Sequence, residues 1–267
     1  MYIVKRALNL SAFFVLLLLL NTAYADCSSN QYDETATVKR VIDGDTLVLK
    51  NKRKIRIIGI NTPELGHYPK KAEPLAINAK QFVENTLSLN KNIKLKFGKQ
   101  KKDRYGRLLS HVFLMDGRNL GAMLLKKGLA TAIVIPPNSL FSNCYFKLET
   151  QSREYTSKKD ASIWKHPFFK YKEANKINKN MTGFSFIKGK VIRVGRSRDS
   201  IWLQLAAKFT IRIKRKDFKY FKKIRLDSLN KRQLKNKDLY IRGWVYLWKK
   251  ELYIQLRHPR MIEGFNL

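Results

Sequence analysis

The sequence predicts an α+β protein that contains two small β-barrels, the first of which carries appended helices. In both halves of the chain, three short segments of alternating or continuous apolar residues precede a helical pattern, and two more such segments follow it. A polar stretch that shows neither the helical nor the strand period separates the two series of segments. With 267 residues, the chain is long enough for two domains of this size.

The first 25 residues are expected to form a secretory signal peptide. Lys5 and Arg6 precede an apolar run over residues 12–20, and residues 23–25 read Ala-Tyr-Ala, the pattern of a cleavage site. The run is shorter than the roughly 20 residues that span a bilayer. We therefore expect cleavage after Ala25 and a periplasmic or secreted mature protein with no membrane span. An uncleaved N-terminal anchor is the alternative.

The charge of the chain indicates a polyanionic partner. There are 55 Lys and Arg residues against 20 Asp and Glu, a formal net charge of +35. Such an excess favours nucleic acid, an anionic membrane face or an acidic cell-wall polymer as partner. A compositional bias toward Lys, Asn and Ile also contributes to the charge.

Cys27 and Cys144 leave two possibilities open. An exported protein with an even number of cysteines allows a disulfide, which here would tie the mature N-terminus to a later helix. Two free buried thiols are the alternative.

The first unit, residues 26–165, is expected to form a five-stranded barrel with appended helices. Residues 36–42 and 46–49 have the apolar patterns of two strands, and the Asp43-Gly44-Asp45 segment between them is typical of a hairpin turn. An order of three strands, a helix and two strands is that of the oligonucleotide/oligosaccharide-binding (OB) barrel. The later elements are a third strand at 55–60, a helix from Glu73 with Pro74 in its first turn, strands at 93–97 and 108–114, a helix capped by Asn119 and ended by Gly128, a helix over about 142–158, and a closing segment near Trp164.

The second unit, residues 182–267, repeats this order without repeating any motif, which predicts a second, OB-like barrel. It follows a predicted linker at 166–181 and contains 23 Lys and Arg against 6 Asp and Glu. Basic grooves with exposed aromatic rings suit single-stranded nucleic acid, whereas rings at inward positions would be core. The predicted strands are 186–194, 201–205, 209–213, 239–246 and 252–256, the helical stretch is 217–233, and the rings are Trp202, Tyr240, Trp244, Tyr246, Trp248 and Tyr253.

Three segments of the first unit carry candidate chemistry. They are Asp43-Gly44-Asp45-Thr46, residues 56–64 (Arg-Ile-Ile-Gly-Ile-Asn-Thr-Pro-Glu) and residues 103–107 (Asp-Arg-Tyr-Gly-Arg). Together they offer oxygen ligands, a spare carboxylate and two arginines. These groups can hold a divalent cation against a phosphodiester while water attacks it.

Asp45, Asn61 and the Thr62 carbonyl are candidate calcium ligands, because calcium prefers several oxygen donors from carboxylates, carbonyls and water. Asp43 could bind a coordinated water rather than the ion itself. Taken alone, the Asp-Gly-Asp segment is a weak signal and is more typical of a solvated turn.

Glu64 is a candidate base for an attacking water, and Arg56 and Arg107 are candidate phosphate ligands, because guanidinium groups fork onto phosphate oxygens. Each could alternatively be an ordinary surface charge. Arg56 and Asn61 are five residues apart and would face opposite sides of a regular strand. We therefore expect the chain to bend after Ile60.

These motifs resemble those of the staphylococcal nuclease family. The resemblance covers roughly Thr35 to Trp164 and includes Pro69-Lys70-Lys71 and Gly128-Leu129-Ala130. It implies an OB barrel with calcium-dependent phosphodiesterase activity that cuts DNA and RNA with little sequence preference and leaves 3′-phosphate ends. It further implies that Asp45, Asn61 and the Thr62 carbonyl bind the metal. Glu64 would be the general base, and Arg56 and Arg107 would bind the phosphate.

The sequence departs from the family pattern at two places. The second ligand position, usually aspartate, is Asn61, and residues 131–137 lack the tyrosines that contact a terminal base in the family. The amide favours an alternative in which the protein binds nucleic acid without cleaving it. A cationic binder of the cell envelope is a further alternative. The expected partners are DNA and RNA, with single strands preferred, and the expected state is a monomer.

Overall fold

The structure, a computed structural model, describes residues 27–66, 71–155, 161–222 and 235–265. The predicted signal peptide therefore lies outside the described residues. Among the helices of the described ranges, none is both long and apolar enough to cross a bilayer.

The first unit contains the predicted five-stranded barrel. Its strands close in the order β1–β2–β3–β6–β5, with β3 and β6 parallel and the other pairs antiparallel. Inward side chains such as Leu47, Ile55 and Leu95 are fully buried in its core. The elements are β1 Glu34–Asp43, β2 Thr46–Leu49, β3 Lys54–Ile57, β4 Ile60–Asn61, α1 Ala76–Thr86, β5 Asn92–Lys102, β6 Leu108–Leu114, α2 Leu120–Lys126, β7 Thr131–Ala132 and α3 Ser142–Tyr155.

The predicted third strand at 55–60 is wrong, because it is two strands separated by a turn at Ile58-Gly59. Gly59 has a φ of +87°, which favours glycine, and a Cβ there would lie 2.4 Å from Cε2 of Tyr145. The bend thus precedes Ile60 instead of following it. It redirects β4 away from the barrel, where it pairs with β7.

The helix boundaries follow local geometry. Helix α1 begins at Ala76, not Glu73, because Leu75 has a left-handed φ of 67°. Asn119 caps α2 as predicted, with its side chain accepting a hydrogen bond from the Ala122 N–H. A disulfide joins Cys27 to Cys144 on α3, with the Cα atoms 5.8 Å apart.

The second unit has the same strand order as the first. Its sheet runs β10–β11–β12–β14–β13–β9, with β12 and β14 parallel. Only Val191 and Ile192 separate β9 from β10, so one bent strand pairs with β13 through its first half and with β11 through its second. This is the OB-like arrangement predicted, except that the strand expected at 186–194 is bent into two. The elements are β8 Lys172–Glu173, β9 Gly183–Lys190, β10 Arg193–Arg196, β11 Ser200–Ala206, β12 Phe209–Lys214, α4 Phe218–Phe221, β13 Asp238–Trp248, β14 Glu251–Leu256 and β15 Ile262–Phe265.

The stretch interpreted as a linker at 166–181 is packed against the second unit. Its β8 pairs with β9, and Ala174 and Ile177 are buried in the second core. Although the stretch also contains Phe168, Phe169, Tyr171 and Met181, its Lys- and Asn-rich composition favoured the interpretation as a linker. The helical stretch expected at 217–233 includes α4, and residues 223–234 lie outside the described ranges.

A buried ion-pair network joins the two units. Arg242 on β13 donates two hydrogen bonds to Glu149 on α3, of 2.7 and 2.6 Å, and a third of 2.9 Å to the carbonyl of Ala132. Both charged side chains are only 2% exposed. Glu149 also accepts from Arg153, which in turn pairs with Glu263 on β15. The second unit is therefore attached to the first by fixed charge pairs.

Replacing Arg242 with Ala is expected to lower the free energy of unfolding by about 3–5 kcal/mol, because it leaves the Glu149 carboxylate buried without its main partner. Chemical denaturation measures this change. In the control Arg118→Ala, whose ion pair with Asp116 is more than half exposed, the loss should stay below about 1 kcal/mol. Combining Arg242→Met with Glu149→Gln should recover part of the stability, and a double variant as unstable as Arg242→Ala would contradict the argument.

Candidate active site

The carboxylate of Asp45 is the centre of the candidate site. Its Oδ2 atom accepts a hydrogen bond from the Thr62 N–H at 3.0 Å and pairs with the Arg56 guanidinium at 2.9 Å. The hydroxyl of Thr46 donates to the other oxygen at 3.1 Å. Pairing of β2 with β3 explains the meeting with Arg56, since it sets Arg56 directly opposite Thr46. Asp45 is 2% exposed, so it is a buried anion held by three donors.

Asn61 joins this cluster through the bend at Gly59. The Arg56 guanidinium donates to Asn61 Oδ1 at 3.3 Å and to the Ile60 carbonyl at 3.0 Å. The Asn61 side-chain amide donates to the carbonyl of Thr62 at 3.4 Å. The structure therefore brings the three predicted ligand positions into one cluster: Asp45 and Asn61 both contact Arg56, and Thr62 contacts Asp45 and Asn61.

Gly44 allows the Asp43-Gly44-Asp45 turn to approach the Thr62 segment closely. A Cβ at Gly44 would lie 2.7 Å from Cγ2 of Thr62 and 2.9 Å from Cβ of Ala79. Asp43 holds the turn, because its carboxylate accepts the N–H of Asp45 at 3.0 Å. The turn is thus packed against the site and is not the solvated turn considered as an alternative.

Asp43 and Glu64 complete a concentration of negative charge. Burial, and then repulsion by Asp45, raises the pKa of Asp43 to about 6. Glu64 lies at the exposed edge of the cluster. Partial desolvation of its carboxylate by the surrounding protein, followed by repulsion from Asp45 and Asp43 and opposed by Arg56, raises the pKa of Glu64 to about 7. The Glu64 N–H donates to the Glu73 carboxylate at 3.0 Å, which ties the loop to the start of α1.

Arg107 lies one strand away from Arg56. It directly precedes Leu108, and β6 pairs with β3 so that Leu109 is opposite Arg56. Its Nε donates to Asp103 at 2.7 Å. Partial burial alone would raise the pKa of Asp103, but the hydrogen bonds from Arg107 outweigh it and lower that pKa. Arg107 is 28% exposed, so its guanidinium is oriented and still reaches solvent.

The donor set fits a hard divalent cation. Within the described residues, no group of three or more His, Cys, Asp and Glu side chains is arranged to hold a metal ion. The predicted set includes only one such side chain, Asp45, and adds an amide oxygen and a backbone carbonyl. All its donors are oxygens, which calcium prefers. Burial is the main cause of the raised pKa values of Asp43 and Glu64, and repulsion from neighbouring carboxylates adds to it; a cation would relieve that repulsion.

Comparison with known proteins identifies the class to which this fold and site belong. Residues 54–166 match the model of the family described as staphylococcal nuclease homologue. The chain is 34% identical over 140 residues to the thermonuclease of Staphylococcus intermedius, covering 51% of this chain and 80% of that protein.

Two further relatives show similar coverage. The thermonuclease of Staphylococcus hyicus is 35% identical over 140 residues, which cover 51% of this chain and 79% of the relative. Endonuclease YncB of Bacillus subtilis is 32% identical over 162 residues, with 52% and 74% covered. The chain belongs to the staphylococcal nuclease family, as its motifs suggested.

Sequence reasoning missed the residues that support the site from behind. The hydroxyl of Thr131 on β7 donates to the carbonyl of Asn61 at 3.2 Å, and the next residue, Ala132, donates its N–H to Glu149. An acid within the apolar face of α3 was the available signal for Glu149, since an unpaired carboxylate is almost never fully buried.

Replacing Gly44 with Ala is expected to push the turn away from Thr62 and to reduce phosphodiester cleavage at least about tenfold, because displacement of catalytic groups by about 1 Å is costly. Gly117→Ala is the control: its φ of +89° makes it destabilising, but its nearest contact is Tyr32 at 3.8 Å. Parallel melting curves and cleavage assays separate the two effects. Equal activity in both variants would show that the close approach at Gly44 is unimportant for the site.

Proposed function

We propose that this protein is an exported, calcium-dependent nuclease that hydrolyses phosphodiester bonds of DNA and RNA with little sequence specificity. The observation that carries the proposal is a cluster beside a glutamate of raised pKa: Arg56 contacts Asp45 and Asn61, and the Thr62 N–H donates to Asp45. Asp45, Asn61 and the Thr62 carbonyl would hold the ion, and Asp43 would bind one of its waters. Bound calcium would hold the phosphate and offset its negative charge.

Glu64 has the properties of a general base near neutral pH. A carboxylate with a pKa of about 7 can accept a proton from water more readily than one at its ordinary value. A nearby divalent cation would lower that pKa and favour the ionised form. Glu64 would thus take the proton of the attacking water while its loop is fixed through Glu73.

Arg56 and Arg107 would bind the phosphate oxygens and stabilise the charge that develops on them. Arg56 is already oriented by the carbonyls of Ile57 and Ile60, and Arg107 by Asp103. Preorganised donors of this kind need little reorganisation during the reaction. Catalysis of phosphoryl transfer arises largely from such positioning and from stabilisation of charge.

Export is proposed from the basic and apolar leader with its Ala-Tyr-Ala cleavage pattern. The Cys27–Cys144 disulfide supports it, because such bonds persist in oxidising compartments. We also propose that the protein acts as a monomer with a preference for single strands. Asn61 keeps one competing proposal open, a nucleic-acid-binding protein of low or absent activity.

Cleavage assays on single- and double-stranded DNA and on RNA test the proposal. The wild type should cut in calcium and not in chelator. Glu64→Gln and Arg107→Ala should each reduce turnover at least ~100-fold, the scale of losing a base or a charge partner in the transition state. The exposed Arg118→Ala is the matched control. Near-wild-type turnover in either site variant would remove the assigned role, and absence of cleavage in the wild type would favour the binding-only alternative.

Asn61→Asp should lower the calcium concentration needed for half-maximal cleavage by ~10-fold, because a carboxylate offsets more of the 2+ charge than an amide does. The maximal rate should rise less, since a better-neutralised metal polarises its ligands less. Calcium titrations of cleavage in both proteins measure this difference. If the variant needs the same or more calcium, Asn61 is not a ligand.

A further inference from the structure

The outward face of the second sheet is divided into a covered half and an open half. Arg242 and Phe186 lie opposite each other on β13 and β9, and they face the first unit: the Arg242 guanidinium is 5.2 Å from the ring centre of Phe146, and the Phe186 ring is 6.0 Å from that of Trp164. Four residues further along β13, on the same side of the sheet, Tyr246 is only half-buried. Within the described ranges, the first unit therefore leaves this second half to solvent.

Four aromatic rings lie together on the open half. Tyr253 on β14 is at the centre, with ring-centre distances of 6.0 Å to Tyr246, 5.9 Å to Trp202 and 5.5 Å to Trp248. Its neighbours cover Tyr253 to 8% exposure, whereas Trp248 is 47% exposed. The core of the barrel is filled by the alternate residues of these strands, such as Leu203, Ile211 and Ile254. The rings are thus a surface cluster and not the core.

Cations lie beside the rings. The Arg212 guanidinium is 4.6 Å from the ring centre of Trp202, and its Nε donates to the Ser200 hydroxyl at 2.9 Å. The Lys249 ammonium is 4.9 Å from the ring centre of Trp248. From residue 182 onward, Lys and Arg number 23 against 6 Asp and Glu. An exposed apolar patch with adjacent cations matches a polyanion that also carries flat apolar groups.

We propose that the open face, defined as Trp202, Arg212, Tyr246, Trp248 and Tyr253, is a binding site for single-stranded nucleic acid. Bases stack on the accessible rings, and phosphates lie against Arg212 and the nearby Lys249. Bases within a duplex are already stacked on one another, so only single strands present their faces. The inference rests on the proposed function in taking nucleic acid as the substrate.

The face is also held in a fixed position relative to the candidate active site. Arg257, which follows β14, donates to the carbonyl of Pro136 at 2.8 Å, in the segment after β7. Together with Arg242, this bond attaches the sheet that carries the open face to the part of the first unit that pairs with the Asn61 strand. A strand bound on the face is thereby held on the same joined body that carries the candidate active site.

Binding can be measured without cleavage, by fluorescence anisotropy in chelator with labelled oligothymidylate of about 15 nucleotides and a duplex of equal length. The wild type should bind the single strand more tightly. Trp202→Ala and Tyr246→Ala should each weaken that binding about tenfold, whereas Tyr246→Phe, which keeps the stacking surface, should retain it. Arg212→Gln should reduce the slope of log affinity against log salt by about one.

Tyr155→Ala is the matched control, because this ring is 80% exposed on α3 and lines a cleft of the first unit with Asn78 and Lys126. If circular dichroism shows that Trp202→Ala does not fold, the exposed Trp248→Ala replaces it. Unchanged single-strand affinity in the folded ring variants would overturn the inference. So would a wild type that binds the duplex more tightly than the single strand and loses affinity only in Arg212→Gln, not in the ring variants. A wild type that binds through the rings but never cleaves in calcium would overturn the proposed function and leave this inference intact.

Discussion

The buried carboxylate of Glu149 accepts hydrogen bonds from three parts of the molecule: the N–H of Ala132 on β7, the guanidinium of Arg153 on its own helix, and that of Arg242 in the second unit. A buried charge that lacks its partner costs several kcal/mol, so these donors have to converge. The bidentate pair with Arg242 also requires a defined orientation between helix and sheet. This carboxylate is therefore a central group in the contact between the two barrels, beside the Arg153–Glu263 pair and the hydrogen bond from Arg257 to Pro136.

The same network reaches the candidate active site. Ala132 pairs with Ile60 on β4, and Thr131 holds the carbonyl of Asn61, so β7 lies between Glu149 and a predicted metal ligand. Arg242 adds a hydrogen bond to the Ala132 carbonyl from the second unit. The second barrel thus supports β7, and through it the candidate site, from behind.

The net charge of this protein and the local charge of its candidate site have opposite signs. The whole chain carries a formal charge of +35, which attracts a polyanion over distances comparable to the Debye length. Within that field, Asp43, Asp45 and Glu64 concentrate negative charge in one place, and burial with mutual repulsion raises the pKa of two of them. This local reversal of sign suits a cation, which in turn can sit between the protein and a phosphate.

The sequence by itself determined the features that depend on local patterns. The apolar patterns predicted the barrel strands, including β6 at its observed bounds, and Asn119 predicted the start of α2. Three motifs supplied the candidate site residues, whose roles stay a prediction. Tertiary structure alone decided where the third strand breaks, because the space at Gly59 is set by Tyr145 from a distant helix. It also decided that Arg242 pairs with Glu149, 93 residues away, and which half of the second sheet is covered. Periodicity records only which side of its own element a residue faces, whereas burial of a charge or a ring depends on what another element brings to that side.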